Sequence, residues 1–439
     1  MDLLVFLDQN SSRVEYVFEH IFQHFYGLDL LFTSDRNYFI KSTTPKISYS
    51  NSPVSNTIFF QSSDILFDSI ITNQELKIST YKGVKVFFLC SNSKSILPFD
   101  PFACVFYMLS RYEEYIIEEK DKFDRFPATA SLAYKNSFLD LPVVDYWIRF
   151  IGDILKEKFP TLVLKDHTFK YINTIDVDNA FAYLEKGFFR NIGGYLYSLI
   201  KLDFGNILER TSVLLKKKVD PYDNYENILS IHHKYNLTSL FFFLLGNYAK
   251  YDRNVSFISQ KLQSKIQKIH QFCEIGIHAS YKSIKNPNNL VKEISRLENI
   301  LDQKISKNRQ HFIALNLPFT YQNLIKNNIT DDYSMGFPSL PGFRAGTSHN
   351  FFFFDLTKNI KTTLLIHPFC VMDVTLKNYM NLNKEEVFSV VQPLIDEVKT
   401  VNGCFMSIWH NESFDDNKEW IGWTDVYETI IRYILHEKT

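Results

Sequence analysis

Between residues 171 and 410, short apolar runs alternate with amphipathic helical segments, and this alternation is the strongest constraint on the fold. The runs include KYINTIDVD, LTSLFFFLL, EIGIHAS, TTLLIHPF and CFMSIWHN. Between them, segments such as NLVKEISRLENILDQKI carry leucine and isoleucine at helical spacing. Strands that alternate with helices pair in parallel, so the sequence predicts an α/β fold whose sheet is either open or closed into a barrel.

The chain before residue 166 has a different pattern. Residues 1 to 90 read as short mixed elements separated by Ser- and Asn-rich turns, and two helices are predicted over 97–116 and 141–159. The stretch PTLVLKDHT then reads as a connector. We therefore predict a smaller mixed α+β N-terminal domain at 1–165 and a second domain at 166–439.

Charge and cysteine content exclude several classes of protein. The formal net charge is -1, so no basic surface for nucleic acid is indicated. Five scattered cysteines without CxxC spacing favour free thiols in a reducing compartment. The apolar run Leu3 to Leu7 is too short for a signal peptide or a membrane span. We expect a cytoplasmic protein without a membrane span, and the sequence does not indicate its oligomeric state.

Two acids stand at the end of the first predicted strand of the second domain. Asp176 and Asp178 are two residues apart, so their side chains project to the same side of the strand. In parallel β/α folds the C-terminal ends of the strands carry the chemistry. Like charges this close repel one another unless a cation neutralises them. A divalent metal ion would do so, and the alternative is an aspartate that caps the next helix.

Other polar residues follow later strands in the same way. His278 in EIGIHAS and His410 in SIWHNES each end an apolar run, and Arg309 and His311 stand together in NRQHF. Each histidine is either a functional group or a satisfied structural residue. Two further residues are candidate substrate contacts: Arg344 in the Gly- and Pro-rich loop 331–356, and Trp409 beside His410. The alternative for Arg344 is packing within the loop, and the alternative for Trp409 is packing against the last helix.

The ordered set TIDVD, EIGIHASY, RQHF, DDYSMGF and IWHNE resembles the motifs of the polysaccharide deacetylases, the carbohydrate esterase family four or NodB-homology proteins. The whole chain resembles a bacterial subgroup that carries an N-terminal domain of unknown function, whose signature is similar to LPFDPFACVFYMLSRYEEY. This resemblance implies a distorted (β/α) barrel of about seven strands. It also implies metal-dependent hydrolysis of the N-acetyl group of an amino sugar.

The resemblance assigns roles to five residues: Asp176 as catalytic base, Asp178 and His278 as metal ligands, Arg309 as the partner of the base, and His410 as general acid. One position departs from the family pattern. The second metal histidine of the family comes four residues after the first, where this chain has Lys282, and an ammonium group is not a ligand at neutral pH. We expect His311 to replace it, with Ser280 or a water as alternatives.

The sequence therefore predicts a metal-dependent hydrolase that removes an acyl group, N-acetyl by resemblance, from a carbohydrate or sugar conjugate. Histidine and aspartate ligands favour zinc as the divalent metal. Two other functions stay open. The first is a catalytically silent carbohydrate-binding protein on the same scaffold, which Lys282 favours. The second is an amidohydrolase that acts on a C–N bond outside sugars.

Overall fold

The computed structural model describes residues 2–416 and 418–435, and its fold is of the α/β class that the sequence predicts. Among the described residues, the N-terminal part forms a four-stranded parallel sheet of order β2-β1-β3-β4. A short antiparallel pair, β5 and β6, follows. The strands are β1 Asp2–Leu7, β2 Asp29–Thr33, β3 Lys46–Ser50, β4 Ile58–Gln61, β5 Ser79–Tyr81 and β6 Val84–Val86.

The N-terminal part contains five α-helices within the described residues: α1 Ser12–Phe18, α2 Arg36–Lys41, α3 Pro101–Leu109, α4 Leu132–Lys135 and α5 Val143–Lys158. Helix α3 is buried along its whole length. The side chain of Asp100 accepts hydrogen bonds from the first free backbone N–H groups of α3, and Pro101 occupies the first helical turn. These local signals explain why the helix begins where it does.

The larger sheet contains nine strands within the part of the chain that the structure describes, in the order β12-β13-β11-β10-β9-β8-β7-β15-β14. All neighbours pair in parallel except β12 and β13, so the sheet is mixed. The strands are β7 Lys170–Val177, β8 Ser239–Phe243, β9 Glu274–Ala279, β10 Lys307–Gln310, β11 Asp331–Asp332, β12 Phe351–Asp355, β13 Ile360–Ile366, β14 Val371–Met372 and β15 Cys404–His410. About seven strands were expected, and two of the nine, β11 and β14, have only two residues each.

Helices connect these strands, as the alternating sequence pattern predicts. They are α6 Gly187–Ile200, α7 Phe204–Leu214, α8 Tyr225–Lys234, α9 Gln260–His270, α10 Tyr281–Lys285, α11 Pro287–Leu301, α12 Phe319–Lys326, α13 Lys384–Thr400 and α14 Trp423–Ile434. Helix α11 buries the leucine and isoleucine positions that the sequence places on one face. The C-terminal ends of the parallel strands thus lie at one end of the sheet.

The N-terminal part and the larger sheet share one hydrophobic core. The ring of Phe106 on α3 packs edge-on against Phe354 on β12, with 5.2 Å between centroids. The hydroxyl of Tyr16 donates a hydrogen bond of 2.7 Å to the backbone carbonyl of Phe352. These contacts tie the two parts of the chain into one packed body.

A buried cluster of charges also joins the two parts. The guanidinium of Arg344 donates to both carboxylate oxygens of Glu114, over 2.9 and 2.6 Å. Arg111 donates to Glu114 over 2.8 Å and to Glu113 over 2.7 Å. The side chain of Arg344 is fully buried, so its predicted role as a substrate contact is wrong. The loop 331–356 therefore places Arg344 inside the protein, where it pairs with Glu114 of the N-terminal part.

A second buried polar cluster lies between β7, α8 and α14. The Nε2 atom of His232 lies 2.9 Å from Asn173 Nδ2 and 2.8 Å from the hydroxyl of Tyr427. Burial lowers the pKa of His232 to about 4, so the imidazole is neutral at physiological pH. His232 is therefore a structural residue of the core.

Acidification should therefore destabilise the fold through His232. An unfolded histidine takes up a proton near its usual pKa, whereas the folded one resists protonation, so stability falls as the pH drops below the unfolded value. When the pH falls from 7 to 5, the unfolding free energy of the parent should decrease. The decrease in the His232→Gln variant should be smaller by about 2 kcal/mol. Urea denaturation at both pH values measures this. His233 is the neighbouring exposed residue and gives the control, since the stability of His233→Gln should change with pH as that of the parent does. Equal losses of unfolding free energy in all three proteins would contradict the prediction.

Candidate metal centre

Three potential metal ligands meet at the C-terminal end of the larger sheet. Asp178 follows β7, His278 lies on β9, and His311 follows β10 directly. Asp178 Oδ1 is 3.0 Å from His278 Nε2, and Asp178 Oδ2 is 3.3 Å from His311 Nε2. One ligand atom from each residue lies within 4.8 Å of the others. A single ion between them would be within bonding distance of all three side chains.

Both imidazoles are held in the orientation that a metal ligand needs. His278 donates from Nδ1 to the backbone carbonyl of Arg309 over 2.9 Å, and His311 donates from Nδ1 to Asp252 Oδ1 over 2.9 Å. In each ring the Nε2 atom therefore points toward Asp178. Asp178 Oδ1 is shielded from solvent and accepts no well-aligned hydrogen bond. An unsatisfied, shielded carboxylate oxygen beside two oriented imidazoles fits a bound cation.

The charges of the three residues are strongly coupled. Burial opposes ionisation of Asp178, but His311 and His278 outweigh it and lower its pKa well below the usual range. Burial likewise opposes protonation of His311, but Asp178 and Asp252 raise its pKa to about 9. The carboxylates thus favour a positive charge at this position, which a metal ion would supply.

Asp176, two residues before Asp178, is paired with an arginine. Arg309 Nη1 donates to Asp176 Oδ1 over 2.8 Å and to Thr174 Oγ1 over 2.7 Å, while its Nε donates to the carbonyl of Tyr333 over 2.9 Å. The other carboxylate oxygen, Asp176 Oδ2, lies 3.8 Å from His278 Nε2. The arginine therefore fixes one oxygen of Asp176 and leaves the second one toward the cluster.

His410, the last residue of β15, approaches the cluster from the opposite side. Its Nε2 is 3.8 Å from Asp178 Oδ2. Asp373 accepts hydrogen bonds from both the Nδ1 and the backbone N–H of His410, over 2.7 and 2.8 Å. Burial opposes protonation, but Asp373 and then Asp178 raise the pKa of His410 to about 10. The two aspartates therefore favour the protonated form of His410, which can donate a proton.

These residues surround a cavity of about 170 Å³. Its remaining wall is formed by Arg125, Phe312, Ile313, Pro338, Met372, Val374 and Tyr379. Arg125 belongs to the N-terminal part, and its Nη1 donates to the carbonyl of Phe312 over 2.6 Å. A larger cavity of about 520 Å³ lies at the opposite end of the sheet, where β7 and β15 begin, and contains none of the predicted site residues.

The structure thus brings Asp176, Asp178, His278, His311 and His410 to one cavity, with Arg309 directly behind Asp176. Trp409 is different. Neighbouring residues on a strand point to opposite faces, so Trp409 turns away from His410 and packs on Tyr427 with 4.9 Å between ring centroids. It is fully buried, and its predicted role as a substrate contact is wrong.

Sequence reasoning missed three residues of the site: Asp252, Asp373 and Arg125. Asp252 also accepts from the backbone N–H groups of Tyr281 and Lys282, so it holds the start of α10 as well as His311. Asp373 follows the two-residue strand β14, which has too little pattern to be recognised. The acid next to the end of a short apolar run, CVMDV, was the only sequence signal for it.

The model of a family of unknown function, DUF7033, matches residues 3–160. Comparison with curated proteins gives no significant match. Among solved structures, the chain is similar to a putative polysaccharide deacetylase from Mycobacterium smegmatis, with 12% identity, 61% of this chain and 85% of that chain covered, and a TM-score of 0.38.

Two further structures give weaker likenesses. One is the Xyl-CE4 domain of a multidomain xylanase from the hindgut metagenome of Trinervitermes trinervoides, with 12% identity, 61% and 85% coverage of this and that chain, and a TM-score of 0.28. The other is a CE4 family pseudoenzyme from Bacillus anthracis, with 12% identity, 60% and 62% coverage, and a TM-score of 0.28. Values this low do not define an activity.

Proposed function

We propose that the protein is a metal-dependent deacylase that removes an acyl group, N-acetyl in the first instance, from a carbohydrate or sugar conjugate. One observation carries this proposal: three potential metal ligands, an arginine-paired carboxylate and an aspartate-paired imidazole all line one cavity. Metal-dependent hydrolysis uses these three kinds of group to activate water and to protonate a leaving group. The motif resemblance of the sequence points to the same reaction.

In this proposal Asp178, His278 and His311 hold the ion. Two imidazoles and one carboxylate suit zinc, and three protein ligands leave a position open. When bound, such an ion supplies Lewis-acid chemistry, since it polarises a carbonyl and makes a water more acidic. Lys282 takes no part, because it lies on α10 and lines a separate small cavity beside Asn289 and Lys292.

The chain's own residues move the protons. Asp176 accepts a proton at Oδ2 from the attacking water, while Arg309 holds its Oδ1 in place. The water oxygen bonds to the acyl carbon, and the bond from that carbon to the sugar nitrogen breaks. His410 delivers the proton from Nε2 to the departing amine, and Asp373 keeps the imidazole oriented through Nδ1. The base and the acid thus stand opposite one another on the neighbouring strands β7 and β15.

The size of the cavity supports a small acyl group. A volume of about 170 Å³ accommodates an acetyl group and part of one sugar ring. Ile313, Met372 and Val374 offer apolar contact for a methyl group. Phe312 and Tyr379 provide aromatic faces on which a pyranose ring can pack. A nucleotide- or lipid-linked sugar made before export suits the expected cytoplasmic location better than a finished wall polymer.

We also propose the finer fold assignment, a distorted barrel at 166–439 behind a separate N-terminal domain at 1–165. The segment between β13 and β14 supports closure of the sheet. The backbone N–H of Phe369 donates to the carbonyl of Met335 over 3.1 Å, and that of Cys370 donates to the carbonyl of Met406 over 3.2 Å. This segment therefore connects the two sides of the sheet outside the regular strand pairing.

Removal of any one ligand should abolish stoichiometric metal binding. The parent protein, purified and exchanged into zinc, should hold one zinc ion per chain by elemental analysis. Asp178→Asn, His278→Gln and His311→Gln should each lower that occupancy at least tenfold, since loss of one of three protein ligands removes a bond that the others do not replace. His233→Gln, at an exposed position on α8, should bind as the parent does. Unchanged zinc content in all three ligand variants would refute the assignment.

Acetate release from a panel of acetylated sugars separates this function from its alternatives. Zinc binding with acetate release supports the deacylase. Zinc or sugar binding without release from any substrate would identify a silent carbohydrate-binding protein, the alternative that Lys282 favours. Release confined to amides outside the sugars would identify a different amidohydrolase.

A further inference from the structure

The helical hairpin formed by α6 and α7 exposes an unusual amount of apolar surface. Phe189 is 87% exposed, Ile200 79% and Phe188 73%. Leu202, Leu208 and Leu215 continue the exposed surface into the connection, α7 and the segment behind it. Within these two fully described helices, only Ser198 and Val213 are buried. The hairpin therefore presents to solvent the residue types that a water-soluble helix buries.

The polar side chains of the hairpin face inward instead. The hydroxyls of Tyr195 and Thr211 are 2.9 Å apart across the two helices, and Arg210 Nη1 donates to Asn191 Oδ1 over 2.9 Å. Arg190 donates to the backbone carbonyl of Arg253 over 2.7 Å. The hairpin thus has a polar inner face and an apolar outer face, which is the reverse of the usual arrangement. An apolar environment on the outer side would explain this reversal.

The hairpin is also strongly basic. Residues 186–219 contain seven lysines and arginines and two acids, a formal charge of +5 in a chain whose total is -1. Lys216, Lys217 and Lys218 form a run of exposed cations one residue after α7, and Lys218 is paired with Glu209. Apolar side chains flanked by lysine are the composition of helices that lie in the interface of anionic membranes.

The dimensions exclude a transmembrane arrangement for these helices. Helix α6 has 14 residues and is about 21 Å long, shorter than the hydrocarbon core of a bilayer. No helix of the described residues is long and apolar enough to cross a membrane. The hairpin can therefore lie on a bilayer but not span it.

The base of the hairpin is attached beside the cavity that Asp178, His278 and His311 line. The side-chain amide of Asn411, the residue after His410, donates to the carbonyls of Asn179 and Tyr222 over 3.0 and 2.9 Å. Asp220 accepts hydrogen bonds from the backbone N–H groups of residues 182–184 and so holds the two ends of the insertion together. The apolar surface therefore emerges at the same end of the sheet as the cavity.

We propose that the α6–α7 hairpin docks the protein on the surface of an anionic lipid bilayer. The exposed aromatic and aliphatic side chains enter the interface, and the lysines contact the negatively charged headgroups. Docking brings the rim of the cavity to the membrane. The proposal rests on the hairpin alone and holds whether or not the cavity is catalytic.

Vesicle co-sedimentation tests this proposal. The full chain should sediment with vesicles of equimolar phosphatidylcholine and phosphatidylglycerol, and much less with phosphatidylcholine alone. The triple variant Phe188→Ser/Phe189→Ser/Ile200→Ser should bind the anionic vesicles at least about tenfold more weakly. Lys216→Gln/Lys217→Gln should also weaken binding to anionic vesicles. Phe272→Ser is the matched control, because Phe272 is 70% exposed but lies before β9, at the opposite end of the sheet.

Three results would overturn the proposal. The first is a parent protein that does not bind anionic vesicles. The second is parent-like binding by both the triple apolar variant and the double lysine variant. The third is a hairpin that covers a second copy of the chain instead of a membrane. In the last case size-exclusion chromatography without lipid would show a dimer for the parent and a monomer for the triple variant. The lysine variant retains every apolar side chain, so the test stands even if the triple variant folds poorly.

Discussion

The Asp176→Asn variant should release acetate about 10²–10⁴-fold more slowly than the parent. An asparagine has the shape of the aspartate and still accepts the hydrogen bond from Arg309, but it cannot take a proton from water. Zinc content should stay at the parent level, because Asp176 is not among the three ligands. Steady-state assays on the acetylated sugar that the parent hydrolyses, together with elemental analysis, measure both quantities.

An acid at another strand end provides the control. Asp331 lies on β11 and accepts a hydrogen bond of 2.8 Å from His367, outside the cavity. Asp331→Asn should keep the parent rate. If Asp176→Asn hydrolyses the substrate as fast as the parent, Asp176 is not the base. If it loses zinc as well as activity, the division of roles between Asp176 and Asp178 is wrong.

The Arg344→Met variant should lose about 3–5 kcal/mol of unfolding free energy. Burial opposes ionisation of Glu114, but Arg344 and Arg111 outweigh it and lower its pKa to about 2. Without Arg344 the Glu114 carboxylate keeps one arginine and loses two charge-assisted hydrogen bonds in a site that water does not reach. Urea denaturation monitored by circular dichroism measures the loss.

A second substitution separates the charge effect from the packing effect. Glu114→Gln in the Arg344→Met background should recover part of the lost stability, because it removes the uncompensated carboxylate. Lys304→Met breaks a pair with Glu298 whose lysine is 93% exposed, and should change stability by less than about 1 kcal/mol. An Arg344→Met protein as stable as Lys304→Met would show that the buried cluster does not hold the two parts of the chain together.

The sequence predicted the elements whose patterns are long. Strands β7, β8, β9, β13 and β15 and helices α5, α9 and α11 all appear where apolar runs or helical spacing indicate them. Asp176, Asp178, His278 and His410 were predicted to lie together because the C-terminal ends of parallel strands lie at the same end of a sheet. All four line one cavity. The catalytic and ligand roles of these residues stay predictions.

The residues that were missed depend on tertiary contacts. Asp373 lies behind a two-residue strand, and Asp252 lies in the irregular connection between β8 and α9, where no periodicity applies. Arg125 reaches the cavity from another part of the chain, and no local pattern predicts such a contact. Trp409 was a different error, since the alternation of side chains along β15 already places it on the face opposite to His410.

Arg125 reaches the cavity through the carbonyl of Phe312, the residue directly after the proposed ligand His311. The N-terminal part of the chain thus forms one wall of the cavity. A shortened protein that begins at residue 166 would lack Arg125 from the cavity wall. It would also expose the apolar surface that now packs against the N-terminal part.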